Sequence, residues 1–226
     1  MNMKRTLLFF IILSFFLTGY GQGNDYKKLY REFIKSEEFS KNFTDWEWYL
    51  DWCDGWEYIY LDSDDIPELL LYGKDDATGN YILSVQSGGV VAQALGDGNP
   101  SYIPQSGLLS SYYGGMGYFC EYVLYLNQLF HPVLTFTIVI DFQSVYGSMD
   151  EAENYDEAYE QKLIEQYSQY YRGIADDTDD LTEITKEEYE RAMNAAYKSK
   201  GKSVNIGLSD NKKDVDSLIK ELELWK

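Results

Sequence analysis

Apolar positions along this chain follow two different spacings, and each spacing predicts a different kind of element. Between Asp25 and Glu37 the apolar residues recur at i, i+3, i+4, i+7 and i+8, which places them on one face of an amphipathic helix. A stretch rich in tryptophan and tyrosine follows, and a helical spacing returns only after about residue 150. The members of the first stripe are Tyr26, Leu29, Tyr30, Phe33 and Ile34.

The middle of the chain, from about 56 to 142, alternates apolar runs of strand length with turn clusters of Gly, Asp, Asn and Pro. Gly88 and Gly89 separate two of these runs and suit a tight hairpin, because glycine accepts the positive φ of such turns. The connections are too short for crossover helices, so the pattern predicts one antiparallel sheet of at least five strands. The predicted strands are 56–61, 68–72, 81–86, 90–95, 108–113, 118–126 and 133–142.

The last third of the chain, from about 151 to 226, is predicted to be helical and to cover the sheet. Thr185 and Glu188 form a capping box, in which a hydroxyl and a carboxylate accept hydrogen bonds from free N–H groups at a helix start. The acidic segment 176–180 is expected to be a solvated linker. The predicted fold is therefore a single α+β domain, 22–226, in which an antiparallel β-meander sheet is flanked by an N-terminal helix and C-terminal helices.

Residues 1–21 have the three-part organisation of a cleavable signal peptide. The apolar part is shorter than the roughly 20 residues that cross a bilayer. We therefore expect cleavage, a secreted or periplasmic location, and no membrane span after cleavage; an uncleaved anchor helix is the alternative. The three parts are the basic pair Lys4 and Arg5, the apolar run 7–17, and the small residues Gly19 and Gly21 before Gln22.

The charge of the chain excludes one large class of partners. With 38 acidic and 19 basic residues the net charge is −19, and a chain this acidic repels the dense negative charge of nucleic acids. Acidic composition is also common in disordered chains, but those have few aromatic residues. Here aromatic residues make up 17% of the chain, which favours a folded domain with a core.

Two cysteines, Cys53 and Cys120, are the only ones in the chain. In an exported protein a single pair predicts a disulfide bond. Closing a loop of this length would stabilise the fold by about 4 kcal/mol in the chain-entropy model. Two reduced, buried thiols are the alternative.

The segment from Tyr60 to Leu69 is a candidate metal-binding loop between two predicted strands. Asp62, Asp64 and Asp65 lie within four positions, and Glu68 follows at the start of the next strand. Alternating carboxylates in a tight loop suit a hard cation such as Ca²⁺, which takes six to eight oxygen ligands. A plain acidic turn is the alternative.

The same ten residues, read with Pro67-Glu68-Leu69 as the anchor, resemble a motif of uncharacterised secreted proteins of gut-type bacteria. They are also distantly similar to the calcium loops of integrin-type propeller repeats. The resemblance implies that Asp62, Asp64 and Glu68 occupy acidic positions of that motif. The chain departs from it at Tyr60, where the first Asp would stand, and at Asp65, where a Gly would stand.

Four tryptophans within a short stretch form a candidate aromatic binding surface. Exposed aromatic rings beside carboxylates suit carbohydrate ligands, whereas buried rings would fill the core. Both interpretations remain open from the sequence. The residues are Trp46, Trp48, Trp52 and Trp56.

Catalytic motifs are absent from the sequence. His131 is the only histidine, so a His-rich zinc site cannot form, and there is no Gly-x-Ser-x-Gly or phosphate-binding glycine loop. The sequence therefore favours an exported non-catalytic protein that contacts a protein or glycan partner through its surface. The alternatives are a secreted, glycan-active hydrolase with a carboxylate pair and a periplasmic inhibitor module.

Overall fold

The computed structural model of this protein describes residues 25–42, 45–74, 79–87, 89–96, 100–115, 118–150, 156–174, 177–206 and 211–225. The predicted signal peptide, 1–21, and the turn residue Gly88 lie outside these residues. The helices are α1 (Asp25–Ile34), α2 (Glu37–Asn42), α3 (Trp46–Trp52), α4 (Phe142–Asp150), α5 (Glu157–Gln166), α6 (Lys186–Ala196) and α7 (Val215–Leu222).

The strands follow the predicted order and add several that the pattern did not predict. They are β1 (Cys53–Ile59), β2 (Glu68–Gly73), β3 (Asn80–Gln86), β4 (Gly89–Leu95), β5 (Ser101–Ile103), β6 (Leu108–Gly115), β7 (Tyr118–Tyr125), β8 (His131–Ile140), β9 (Ser168–Ile174), β10 (Asp177–Ile184) and β11 (Val204–Asn205).

All strand pairs of the described residues are antiparallel, which confirms the α+β prediction, but they form two sheets rather than one. The first sheet is the meander β1-β2-β3-β4, and the second has the order β10-β9-β8-β7-β6-β5-β11. The prediction of a single sheet is wrong because strand length and spacing are the same whether consecutive strands share a sheet or occupy two. Gly96, just after β4, marks the division, because a Cβ there would lie 1.5 Å from the carbonyl oxygen of Tyr112 in β6.

Three apolar clusters hold four layers together: α1 with α7, the first sheet, the second sheet, and α6. Successive side chains of a strand point to opposite faces, so Leu69 and Leu71 of β2 face α1 and α7 while Leu70 and Tyr72 face the second sheet. This is why β2 is a continuous apolar run with both faces buried. The outer face of the second sheet packs on α6, where Phe136 meets Tyr189 with ring centroids 4.6 Å apart.

The C-terminal part is only partly helical, which corrects the prediction for 151–226. Strands β9, β10 and β11 all join the second sheet. Residues 177–180 of the predicted acidic linker belong to β10, at one edge of the second sheet. The capping box is confirmed: the Thr185 hydroxyl accepts from Glu188 N–H at 3.2 Å, and the Glu188 carboxylate accepts from Thr185 N–H at 2.9 Å.

Helices of the described residues are all too short or too polar to cross a lipid bilayer.

Candidate functional site

Helix α3 carries two exposed tryptophans on one side. It begins after Asp45, whose side chain accepts hydrogen bonds from the N–H groups of Glu47 and Trp48, both at 3.1 Å. This is an N-cap, which satisfies donors that have no partner within the helix. Tyr49 and Leu50 point into the core, so the opposite side of the helix faces solvent.

Trp48 and Trp52 lie on that outer side, one helical turn apart. Their ring centroids are 6.0 Å apart, with 30° between the ring planes, so the two rings form a stacked pair. Trp48 is 45% exposed and Trp52 is 44% exposed. Glu47 and Asp51, also exposed, place carboxylates on the same short helix.

Trp46 forms a second aromatic pair with Trp225, which follows α7. The ring centroids are 5.0 Å apart at 48°, and Trp225 is 62% exposed. The Lys35 ammonium lies 5.8 Å from the Trp46 centroid and donates to the carbonyl of Leu224 at 3.0 Å. Trp46 is therefore half-buried at the junction of α1, α3 and the C-terminal segment.

Trp56 does not belong to this surface, which corrects the four-tryptophan prediction. It is 1% exposed, and its indole N–H donates to the Asp214 carbonyl at 3.0 Å and to the Ser217 hydroxyl at 2.9 Å. Because it lies on β1 and faces α7, its ring fills the first core cluster. The aromatic surface on α3 is thus formed by Trp48 and Trp52, with Trp46 at its edge.

The acidic loop between β1 and β2 is closed by its own side chains. Asp62 Oδ1 accepts from Asp64 N–H at 3.0 Å, and Asp64 Oδ1 accepts from Ile66 N–H at 2.7 Å. These contacts are Asx turns, in which a short carboxylate replaces a backbone acceptor. Asp64 and Asp65 are exposed at the tip.

Glu68 points inward, away from the tip, and is 1% exposed. Its Oε2 accepts from Leu61 N–H at 2.7 Å, and its Oε1 accepts from the Ser84 hydroxyl at 3.1 Å. Burial raises the pKa of Glu68 to about 7, and the charge of Asp62 adds to this rise, while the hydrogen bonds from Leu61 and Ser84 oppose it. Burial also raises the pKa of Asp64, with further contributions from Asp62 and Asp65.

The four predicted metal ligands therefore divide into two groups with different surroundings. Asp62, Asp64 and Asp65 lie at the loop tip, whereas Glu68 uses both carboxyl oxygens for contacts inside the protein. In the described part of the chain no three His, Cys, Asp or Glu side chains come together as a group that could hold a metal ion. Calcium binding by the loop therefore stays a prediction.

The cysteines form no disulfide, so that prediction is wrong. Cys53 and Cys120 are both buried, and their sulfurs are not bonded to each other. Cys53 begins β1 and belongs to the cluster beneath the helices, whereas Cys120 lies in β7 of the second sheet, where its sulfur is 3.4 Å from the Thr137 hydroxyl oxygen. The two thiols lie on different sheets and contact different residues, so they are not placed to form a bond.

His131 is exposed at the first position of β8, opposite Tyr125 of β7. Sequence reasoning missed two features. One is Trp225, which pairs with Trp46, and the other is the basic face of α1, which lies against the C-terminal segment. The spacing of Lys27 and Arg31 was the available signal for the second feature, since residues four apart share a helix face.

Comparisons of this chain with models of protein families, with curated proteins and with solved structures find no match. Any functional inference therefore rests on the geometry of the sites themselves.

Proposed function

We propose that this chain is an exported, non-catalytic protein that binds a glycan through the aromatic surface of α3. The stacked pair Trp48 and Trp52 is the observation that carries the proposal. Burying apolar surface is favourable by about 25 cal/mol per Å². Two large rings left nearly half exposed on one face therefore mark a contact surface.

Sugar rings match such a surface because they present C–H groups on one face and hydroxyls around the edge. The C–H face would pack on the indole rings of Trp48 and Trp52. Carboxylates can accept hydrogen bonds from hydroxyls, and Asp45, Glu47 and Asp51 supply them on or beside the same helix. This combination of flat apolar area and nearby acceptors favours a neutral glycan over an apolar ligand.

A non-catalytic role is favoured by the position of Glu68. A glycoside hydrolase needs two carboxyl groups that flank a bound sugar, one of them with a raised pKa. Glu68 has a raised pKa of about 7, but its carboxyl group is buried and engaged by Leu61 and Ser84. A substrate could reach it only if the loop opened.

The test is a glycan array followed by titration of the best glycan with the double variant Trp48→Ala, Trp52→Ala. We expect the double variant to bind at least tenfold more weakly, since the loss of two stacking surfaces corresponds to about 1.4 kcal/mol or more. The matched control is Tyr146→Ala, because Tyr146 is 55% exposed and stacks on Phe142 at the same spacing on another helix.

Equal binding by the double variant, or no binding of any glycan by the wild type, would overturn the proposed surface. Appearance of cleaved glycan during the titration would instead support the hydrolase alternative. Export is tested separately, by sequencing the N-terminus of the protein recovered outside the cytoplasm. We expect that N-terminus to lie near Gln22.

A further inference from the structure

A groove between α1 and α7 has the opposite charge balance from the rest of the chain. The cavity has a volume of about 530 Å³, which is within the range of small-molecule sites. Four basic and two acidic side chains line it, whereas the whole chain has 19 basic and 38 acidic residues. The charged residues of the lining are Lys27, Lys28, Arg31, Lys220, Glu221 and Glu223.

Lys27 and Arg31 of α1 form ion pairs with the C-terminal segment and still have N–H donors available. Lys27 Nζ lies 2.7 Å from Glu221 Oε1, and Arg31 Nη1 lies 3.3 Å from Glu223 Oε2. An ammonium has three N–H donors and a guanidinium has five, so a single carboxylate contact leaves most of them available. The contact with Glu221 also raises the pKa of Lys27, which keeps its charge.

The other two cations do not form close ion pairs among the described residues. Lys28 is paired only loosely with Glu32, at 3.8 Å on the exposed side of α1. Lys220 makes no ion pair with any residue that the structure describes. Exposed pairs such as Lys28–Glu32 contribute little to stability, so a ligand can displace them readily.

We propose that this groove binds a small oxyanion group: a sulfate, a phosphate or a carboxylate. Lys28 and Lys220 supply the charge that is not already neutralised, while Lys27 and Arg31 supply further N–H donors from the two helix pairs. Hydrogen bonds between cationic donors and oxyanions are roughly twice as strong as neutral ones. This site is separate from the glycan surface of α3 and does not depend on it.

The remainder of the molecule limits the size of the anion. A long polyanion would extend beyond the groove and meet the acidic surface of a chain with a net charge of −19. A single oxyanion group meets only the basic lining. The site therefore suits an inorganic anion or one acidic group on a small molecule.

The test compares wild-type protein with the double variant Lys28→Gln, Lys220→Gln by calorimetric titration with inorganic sulfate and phosphate at fixed ionic strength. Neither lysine joins α1 to α7, so we expect the variant to fold. Its melting curve, recorded alongside, checks this. We expect sulfate or phosphate to bind the wild type and the double variant to bind at least fivefold more weakly.

The matched control is Lys41→Gln, because Lys41 also makes an exposed pair with a glutamate four residues away but lies on α2. It should bind the anions as the wild type does. Wild-type binding no stronger than that of chloride, or unchanged binding by the folded double variant, would overturn the proposal. Galacturonic acid in place of the inorganic ion distinguishes a sugar-borne carboxylate from a free anion. Trp48→Ala, Trp52→Ala should retain sulfate binding, which separates this site from the glycan surface.

Discussion

Glu68 and Leu61 are joined across the base of the acidic loop by a hydrogen bond of 2.7 Å from the Leu61 N–H to Oε2 of Glu68. The carbonyl of Leu61 in turn accepts from Gly107 N–H at 2.7 Å, in the connection between β5 and β6. One carboxyl group thus holds a residue that is hydrogen-bonded to the connection between two strands of the second sheet. The protonation state of Glu68 consequently bears on how the two sheets are held together.

We expect the stability of the protein to fall as pH rises from about 4.5 to 7. The pKa of Glu68 is about 7 in the folded protein, whereas the ordinary value for a glutamate is 4.5, so over this range the unfolded chain loses a proton that the folded chain keeps. The folded state is then favoured at low pH, and the advantage is gone above pH 7. The effect is on the order of 3.5 kcal/mol, since the pKa rises by about 2.5 units and each unit corresponds to about 1.4 kcal/mol.

Glu68→Gln should remove this slope, because glutamine does not titrate and its amide oxygen can accept from Leu61 N–H as the carboxyl oxygen does. At pH 8 the variant should be more stable than the wild type by urea unfolding. Glu190→Gln, an exposed position on α6, should leave the slope in place. A wild-type curve that stays parallel to that of Glu68→Gln from pH 4.5 to 8 would contradict the assigned role of burial.

Calcium binding to the acidic loop is expected to give a small rise in the melting temperature at millimolar Ca²⁺. Asp62, Asp64 and Asp65 repel one another, and a cation would relieve that repulsion and favour the folded state. The double variant Asp62→Ala, Asp64→Ala should lose the rise. The comparison is made at constant ionic strength with NaCl. A wild-type melting curve that calcium leaves unmoved would mean that the loop is an acidic turn alone.

Two glycine-to-alanine substitutions should change stability in opposite directions. At Gly96 a Cβ would lie 1.5 Å from the Tyr112 carbonyl oxygen, so Gly96→Ala forces the two sheets apart and should destabilise the fold by several kcal/mol, or prevent folding. At Gly147, within α4, a Cβ meets nothing within 4 Å. Gly147→Ala should therefore stabilise the protein by about 0.5–1 kcal/mol, since alanine favours helix. Chemical denaturation of both variants measures the contrast.

Thiol titration should find both cysteines unreactive in the native protein and both reactive after unfolding without reductant. Burial raises the pKa of Cys53 to about 11, so little of the reactive thiolate is present at neutral pH. Cys120 is buried in the second sheet. A count of no free thiols in the unfolded, unreduced protein would show that a disulfide exists after all.

The sequence predicted the strands well because their apolar runs and turns are local features. The 68–72 run became β2 and the 81–86 run became β3, and the ends of each strand lie within one residue of the predicted ends. Whether these strands share a sheet with 108–113 is not a local question. It depends on the close approach of Gly96 to Tyr112, and a single glycine in a sequence does not reveal its neighbours.

The candidate surfaces show a similar division. Trp48, Trp52 and Trp56 are the same residue type in one short stretch of sequence. The two exposed rings can be told from the buried one only when Trp48 and Trp52 are assigned to α3 and Trp56 to β1. Asp45 before a Trp-rich segment was an available helix-start signal. The oxyanion groove could not be predicted, because it joins residues near 28 with residues near 220. Helix pairing between the two ends of a chain leaves no trace in local spacing.

The bridge between Trp56 and Lys213 has a consequence for the order in which the protein can form. The backbone N–H of Trp56 donates to the carbonyl oxygen of Lys213 at 3.0 Å, and the backbone N–H of Lys213 donates to the carbonyl oxygen of Trp56 at 2.8 Å. The outer edge of β1 is therefore covered by a segment that lies more than 150 residues further along the chain. During synthesis, which proceeds from the N-terminus, β1 exists long before the residues that cover it. The outer edge of β1 can be covered only after residue 213 has been made, and contacts between such distant segments form slowly. A newly made chain thus passes through an interval in which β1 is present and its outer edge is still open to pairing with another strand.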